Sequence, residues 1–140
     1  MESDVKKQLI HSLGNSENMG MLGSTGSFAH AYRLGNFVYM TGQTGFTLDG
    51  ELVGPYDPAA QARQACENIK ALMEMAGGTI DDIIKVIVYV TEREYREQSY
   101  PIIRSYFKVR PCGTGVVVDG LARPELVVEI DAWGFIDDPD

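Results

Sequence analysis

From Ala62 the apolar positions advance by three and four: Ala62, Ala65, Ile69, Leu72 and Ala76 share one helical face. Asp57-Pro58 ahead of them reads as a helix start, with Asp able to cap and Pro suited to the first helical position. Gly77-Gly78 stops the helix. Other segments follow a strand pattern. Phe28 to Tyr32 and Phe37 to Thr41 flank Leu34-Gly35-Asn36, a turn tolerant of positive φ, and form a hairpin. Gly42 and Gly45 end the second strand, and Leu48-Asp49-Gly50-Glu51 makes another turn. Ile83 to Thr91 is a nearly continuous apolar strand, which implies cover on both faces. A second helix is expected from Tyr95 or later to Phe107, with Ile103, Tyr106 and Phe107 facing inward. Its regular part is expected to start near Ser99, because Pro101 inside a helix would cost about 3 kcal/mol. Thr114 to Asp119 and Leu126 to Phe135 read as two closing strands.

This is an α+β order, β-β-α-β-α-β-β, with a single mixed sheet packed on two helices. Two helices cover one face of the sheet. Val86, Val88 and Val90 alternate with Ile87 and Tyr89, so neither face looks wet, and the second face is expected to be buried by self-association. Residues 1–25, punctuated by Gly14, Gly20 and Gly23, read as an irregular N-terminal arm. Within it Lys6 to Leu13 is expected to form one or two helical turns. The domain proper is expected over 26–136, and 137–140 is a solvated acidic tail.

Composition narrows the function classes. The 140 residues carry 12 Lys+Arg against 20 Asp+Glu, a net charge of −8. Such a chain repels phosphate backbones, so nucleic acid is not the expected partner. No apolar run is long enough for a membrane span, and the N-terminus has no signal-like apolar stretch. Two cysteines, Cys66 and Cys112, cannot build a disulfide framework, which points to a reducing, cytoplasmic setting. His11 and His30 lie far apart in the chain, so no metal is expected. Gly20-x-x-Gly23-x-x-Gly26 and Gly113-Thr114-Gly115 each run into a strand, not the helix that a dinucleotide or phosphate loop requires. Cys112 follows Pro111 in an accessible turn, where it is either a small buried apolar residue or a reactive thiol. Strand alternation sets Val127, Glu129, Asp131 and Trp133 on one face. A carboxylate between Val127 and Trp133 would be partly desolvated, with a raised pKa suited to proton transfer. The alternative is an ordinary solvated outer face.

Several segments together resemble the Rid/YjgF family, the enamine/imine deaminases also known as endoribonuclease L-PSP. They are Phe28 to Asn36, Phe37 to Gln43, the helix Gln61 to Gly77 with Glu67-Asn68-Ile69-Lys70, Asp82 to Thr91, Tyr106-Phe107 and Val128-Glu129-Ile130-Asp131-Ala132. The match runs in order from about Gly26 to Trp133. The resemblance implies the chorismate-mutase-like fold and a homotrimer whose sheets form an inner barrel, with small-molecule clefts between subunits. It implies hydrolysis of a small enamine or imine to a carbonyl product and ammonia, with no cofactor. Glu129 matches the glutamate that holds or activates water. Thr41, Phe28, Gly115 and Tyr100 fall at cleft positions where the family often has Ser or Thr, Tyr, a Cys or Thr offering its backbone, and Asn. The family segment Pro-Ala-Arg-Ser/Thr stands here as Pro111-Cys112-Gly113-Thr114, so Cys112, Gly113 and Thr114 are expected to line the substrate site, and the arginine that grips a substrate carboxylate is replaced by Gly113. Arg110 and Arg123 are the nearest substitutes in sequence. Three readings follow: a deaminase with altered specificity, a non-catalytic binder using the same clefts, and, least supported by the acidic charge, an endoribonuclease.

Overall fold

The structure, a computed structural model, describes residues 6–12 and 28–139. Its elements are β1 (Lys7–Ser12), β2 (Ala29–Leu34), β3 (Phe37–Met40), α1 (Pro58–Met75), β4 (Ile83–Val90), α2 (Tyr95–Ser105), β5 (Cys112–Val117) and β6 (Val128–Phe135), with a short 3-10 turn at Ile80–Asp82. The six strands form one sheet in the order β1-β2-β3-β6-β4-β5. Only β4 and β5 pair in parallel, and α2 makes the crossover between them.

α1 forms where the pattern predicts it. The Asp57 side chain accepts from Ala60 N at 3.1 Å, Pro58 opens the first turn, and Gly77 follows the end at φ 99°. Its inner face, with Ala62, Ala65, Ile69 and Met73, packs on Val38, Val128, Ile130 and Ala132 of the sheet. A buried amide locks this layer to the start of β6. Gln61, fully buried, donates to Gly54 O at 2.9 Å and Glu125 O at 2.7 Å, and accepts from Val127 N at 2.8 Å and Val128 N at 3.3 Å.

Three expectations are corrected. Lys7–Ser12 is a strand antiparallel to β2, not a pair of helical turns. So short a segment cannot sustain a helix alone, whereas pairing satisfies its backbone and lets Ile10 pack on the core. The sheet thus extends into the N-terminal arm, and the rest of that arm lies outside the described residues. α2 begins at Tyr95 and runs straight through Pro101 instead of starting near Ser99. Pro101 leaves the Glu97 carbonyl without its helical donor, but Glu97 is exposed to water. Ser99 is buried in the helix body and donates to Tyr95 O at 2.7 Å. β5 also starts two residues earlier than predicted, at Cys112, because its register with β4 begins at Lys85.

Both helices lie on one face of the sheet. The other face carries Phe37, Tyr39, Ile87, Tyr89, Glu129, Asp131 and Trp133, with Phe37 and Tyr39 42% and 48% exposed. Phe37 meets Phe135 edge-on, with centroids 5.0 Å apart. Among the described residues no helix is long and apolar enough to cross a membrane.

Candidate functional site

The residues singled out from the sequence fall into two groups on opposite faces of the sheet. The first surrounds Glu129. Pairing of β6 with β4 sets Glu129 opposite Tyr89 and Asp131 opposite Ile87, all on the face without helices. The loop after β3 closes over this point. Thr41 N donates to His30 O at 2.9 Å, and Gln43 and Ile130 exchange two backbone hydrogen bonds of 2.8 Å. Thr41 and the exposed Phe28 therefore stand at the same end of the β2–β3 hairpin as the glutamate. Gly42 sits directly against the carboxylate: a Cβ there would collide with Glu129 Oε2 and crowd Asp131 Oδ1.

Glu129 is half-buried and has no hydrogen-bond donor among the described residues. Burial, and after it the Asp131 charge, push its carboxyl above the ordinary value. Asp131 is held by the Tyr89 hydroxyl, which donates to Oδ2 at 2.9 Å, and this hydrogen bond is the main reason the phenol's pKa rises. The arrangement is a donor-poor carboxylate beside a hydrogen-bonded one.

The second group lies between α2 and β5. Gly113 and Gly115 pair with Val86 and Val88, so their Cα atoms face the helices. A cleft of about 390 Å³ opens there, walled by Val86, Val88, Ile103 and Phe107, with Arg104 and Arg110 at its edge. The two glycines do different things. A Cβ at 113 would meet nothing nearer than Val86 Cγ2 at 3.6 Å, so this glycine leaves room. A Cβ at 115 would collide with the Tyr100 hydroxyl, so that space is already filled by tyrosine. The Arg96 guanidinium lies over the Tyr100 ring, 5.5 Å from its centroid. Thr114 points to the helix-free face, where Lys85 Nζ donates to its hydroxyl at 2.8 Å, while its backbone lines the cleft.

Cys112 is an exposed residue of β5 paired with Lys85, outside the cleft and neither in a turn nor buried. Arg110 borders the cleft, but Arg123 is elsewhere, ion-paired with Glu125 at 3.2 Å. The two histidines, distant in sequence, stack in the β1–β2 pair with Nδ1 atoms 2.7 Å apart. No third metal-ligand side chain joins them among the described residues. Arg104, Tyr89 and Gly42 were not legible as site residues. Arg104 had one signal, its position four residues after Tyr100 on a helix.

The endoribonuclease L-PSP family model matches residues 20–136. A RutC family protein of Pyrococcus horikoshii is 34% identical over 114 residues, covering 79% of this chain and 87% of that protein. A crystal structure of a YjgF-family member from Mycobacterium tuberculosis superposes with a TM-score of 0.76 at 28% identity, over 94% of this chain and all of the other. A Rid-family protein of unknown function from Yersinia pestis gives 0.77 at 28% identity, with the same coverage. With its sheet, two helices and Glu129 segment in family order, the chain belongs to the Rid/YjgF family, the endoribonuclease L-PSP family of the matching model.

Proposed function

We propose that the protein is a Rid-like hydrolytic deaminase of a small enamine or imine, acting as a homotrimer without a cofactor. The observation that carries this reading is Glu129: half-buried, without a donor, raised in pKa, and held between Gly42 and Asp131. An ionised Glu129 takes a proton from water as the water oxygen bonds to the imine carbon. That proton passes to the nitrogen to give a carbinolamine; Glu129 then takes the hydroxyl proton and delivers it to the same nitrogen as the C–N bond breaks, so ammonia leaves and the carbonyl forms. β5 pairs only with β4, and the outward amides near Thr114 and Gly115 are available to hold developing negative charge.

Glu129 and the Gly113 cleft face opposite sides of one sheet, so a complete site requires two chains. In the proposed trimer the Glu129 face of one subunit meets the α2–β5 edge of the next. A cytoplasmic setting fits the two free thiols, of which Cys66 is pushed up to about 12 by burial and is inert.

Glu129→Gln tests the reading. Ammonia release from an imine generated in a coupled assay should fall by about 10²–10⁴, with an unchanged sedimentation coefficient. Unchanged turnover in the variant would reject the role of Glu129. A wild-type protein that accelerates no imine would instead support the second reading, a non-catalytic binder. That reading is favoured by Gly113, which stands where the resemblance expects a carboxylate-gripping arginine.

A further inference from the structure

The cleft between α2 and β5 has an unusual charge balance for this chain. Acidic residues outnumber basic ones 20 to 12. Even so, Arg104 and Arg110 edge the cleft with no salt bridge among the described residues, where the only ion pair is Arg123–Glu125. No acidic side chain lines the cleft with them. Its walls are aliphatic and aromatic, and Gly113 leaves its floor open. At about 390 Å³ it is far larger than a three-carbon acid needs. Tyr100 fills the notch over Gly115 and closes that end, which directs free volume toward Gly113 and Phe107.

We propose that Arg104, presented by α2 with Arg110 alongside, anchors the acidic group of the ligand, and that the opening at Gly113 receives a branched or aromatic apolar side chain. The ligand class is a small organic acid with a bulky apolar body. This rests on the reading above that the cleft is the ligand half of the site. Arg104 is the better anchor of the two because it projects from a helix, whereas Arg110 lies on the connection between α2 and β5. A guanidinium accepts a carboxylate through paired charge-assisted hydrogen bonds. The bland role for Arg104 is a cation in the last turn of α2, favourable to the helix dipole.

The test is calorimetric binding of 4-methyl-2-oxopentanoate, its methyl ester and pyruvate, all possible products or analogues of the proposed reaction. Wild-type protein should bind the branched acid about tenfold or more tighter than either the ester or pyruvate. Arg104→Gln should remove the preference for acid over ester, and Arg104→Lys should restore part of it. A helix-dipole role would move the thermal midpoint and leave that preference intact. Gly113→Leu, for which the backbone has room, should remove the preference for the branched acid over pyruvate and keep that for acid over ester. Equal affinities for the three compounds, or no binding up to their solubility, would overturn the proposal. So would loss of the acid preference in Arg110→Gln with Arg104→Gln unaffected. Because binding is read without turnover, the pattern stands or falls separately from hydrolysis. The expected binding pattern in a protein that turns over no imine would reject the deaminase and keep the ligand class.

Discussion

At the residue scale Glu129 has a thermodynamic signature independent of catalysis. Its pKa is raised in the folded state, so folded protein holds that proton more tightly than unfolded chain does. Below the ordinary carboxylate value of 4.5 both states are protonated and nothing is lost. As pH rises past that value the unfolded state ionises first, and stability falls until pH exceeds the folded pKa; above it the penalty is complete. Glu129→Gln should therefore raise the thermal midpoint at pH 7–8 and leave it nearly unchanged near pH 4. Equal effects at both pH values, measured by circular dichroism, would contradict the buried-charge account. Period-two alternation made the Glu129–Asp131 face readable, because strand geometry needs only sequence position. Gly42 was not readable, since its contact with the carboxylate comes from a loop folding over a strand almost ninety positions later. Arg104 was missed for a related reason: sequence proximity to Gly113 favoured Arg110 and Arg123, and only packing of α2 on β5 brings Arg104 to the cleft while Arg123 pairs with Glu125.

At the scale of elements, α1 was legible end to end because capping, periodicity and a terminal glycine agree there. β1 was not, because its partner β2 begins seventeen residues beyond its end and no tight turn announces the pairing. α2 shows local preference losing to packing: Ser99 and Ile103 are buried against the core on either side of Pro101. The element that most directly positions the strand carrying Glu129 is α1, through Gln61. Its amide satisfies two carbonyls and two N–H groups from two separate segments, the loop at Gly54 and the stretch from Glu125 to Val128. Gln61→Leu keeps the volume roughly but leaves those groups buried and unpaired, and should destabilise the protein by about 3 kcal/mol or more. Urea unfolding measures this directly. A loss under about 1 kcal/mol would mean that water or rearrangement satisfies the strand start without the glutamine. Turnover in the folded fraction should also fall, because Val128 precedes Glu129 immediately and shares the clamp.

At the scale of the whole molecule, the sheet has one covered face and one bare one, and the bare face holds both Glu129 and a set of exposed aromatics. Apolar surface of this kind is costly to leave in water, and the proposed function gives it a partner. The proposed trimer answers both facts together, covering Phe37 and Tyr39 and bringing Glu129 to a neighbour's α2–β5 cleft. Light scattering at micromolar concentration should therefore give about three times the 15.4 kDa chain mass. Tyr39→Glu supplies the stricter test. Tyr39 is 48% exposed in the single chain, so the substitution should change subunit stability by only about 0.5 kcal/mol. In an assembled barrel the same charge would be buried without a partner, and assembly should fail. The variant is then expected to sediment as a folded monomer with native circular dichroism and no imine hydrolysis. Turnover that survives in such monomers would show that one chain completes the site alone, contrary to the placement of Glu129 and Gly113 on opposite faces. A wild-type protein that stays monomeric across the concentration range would remove the trimer itself, leaving the exposed aromatic face to a different partner.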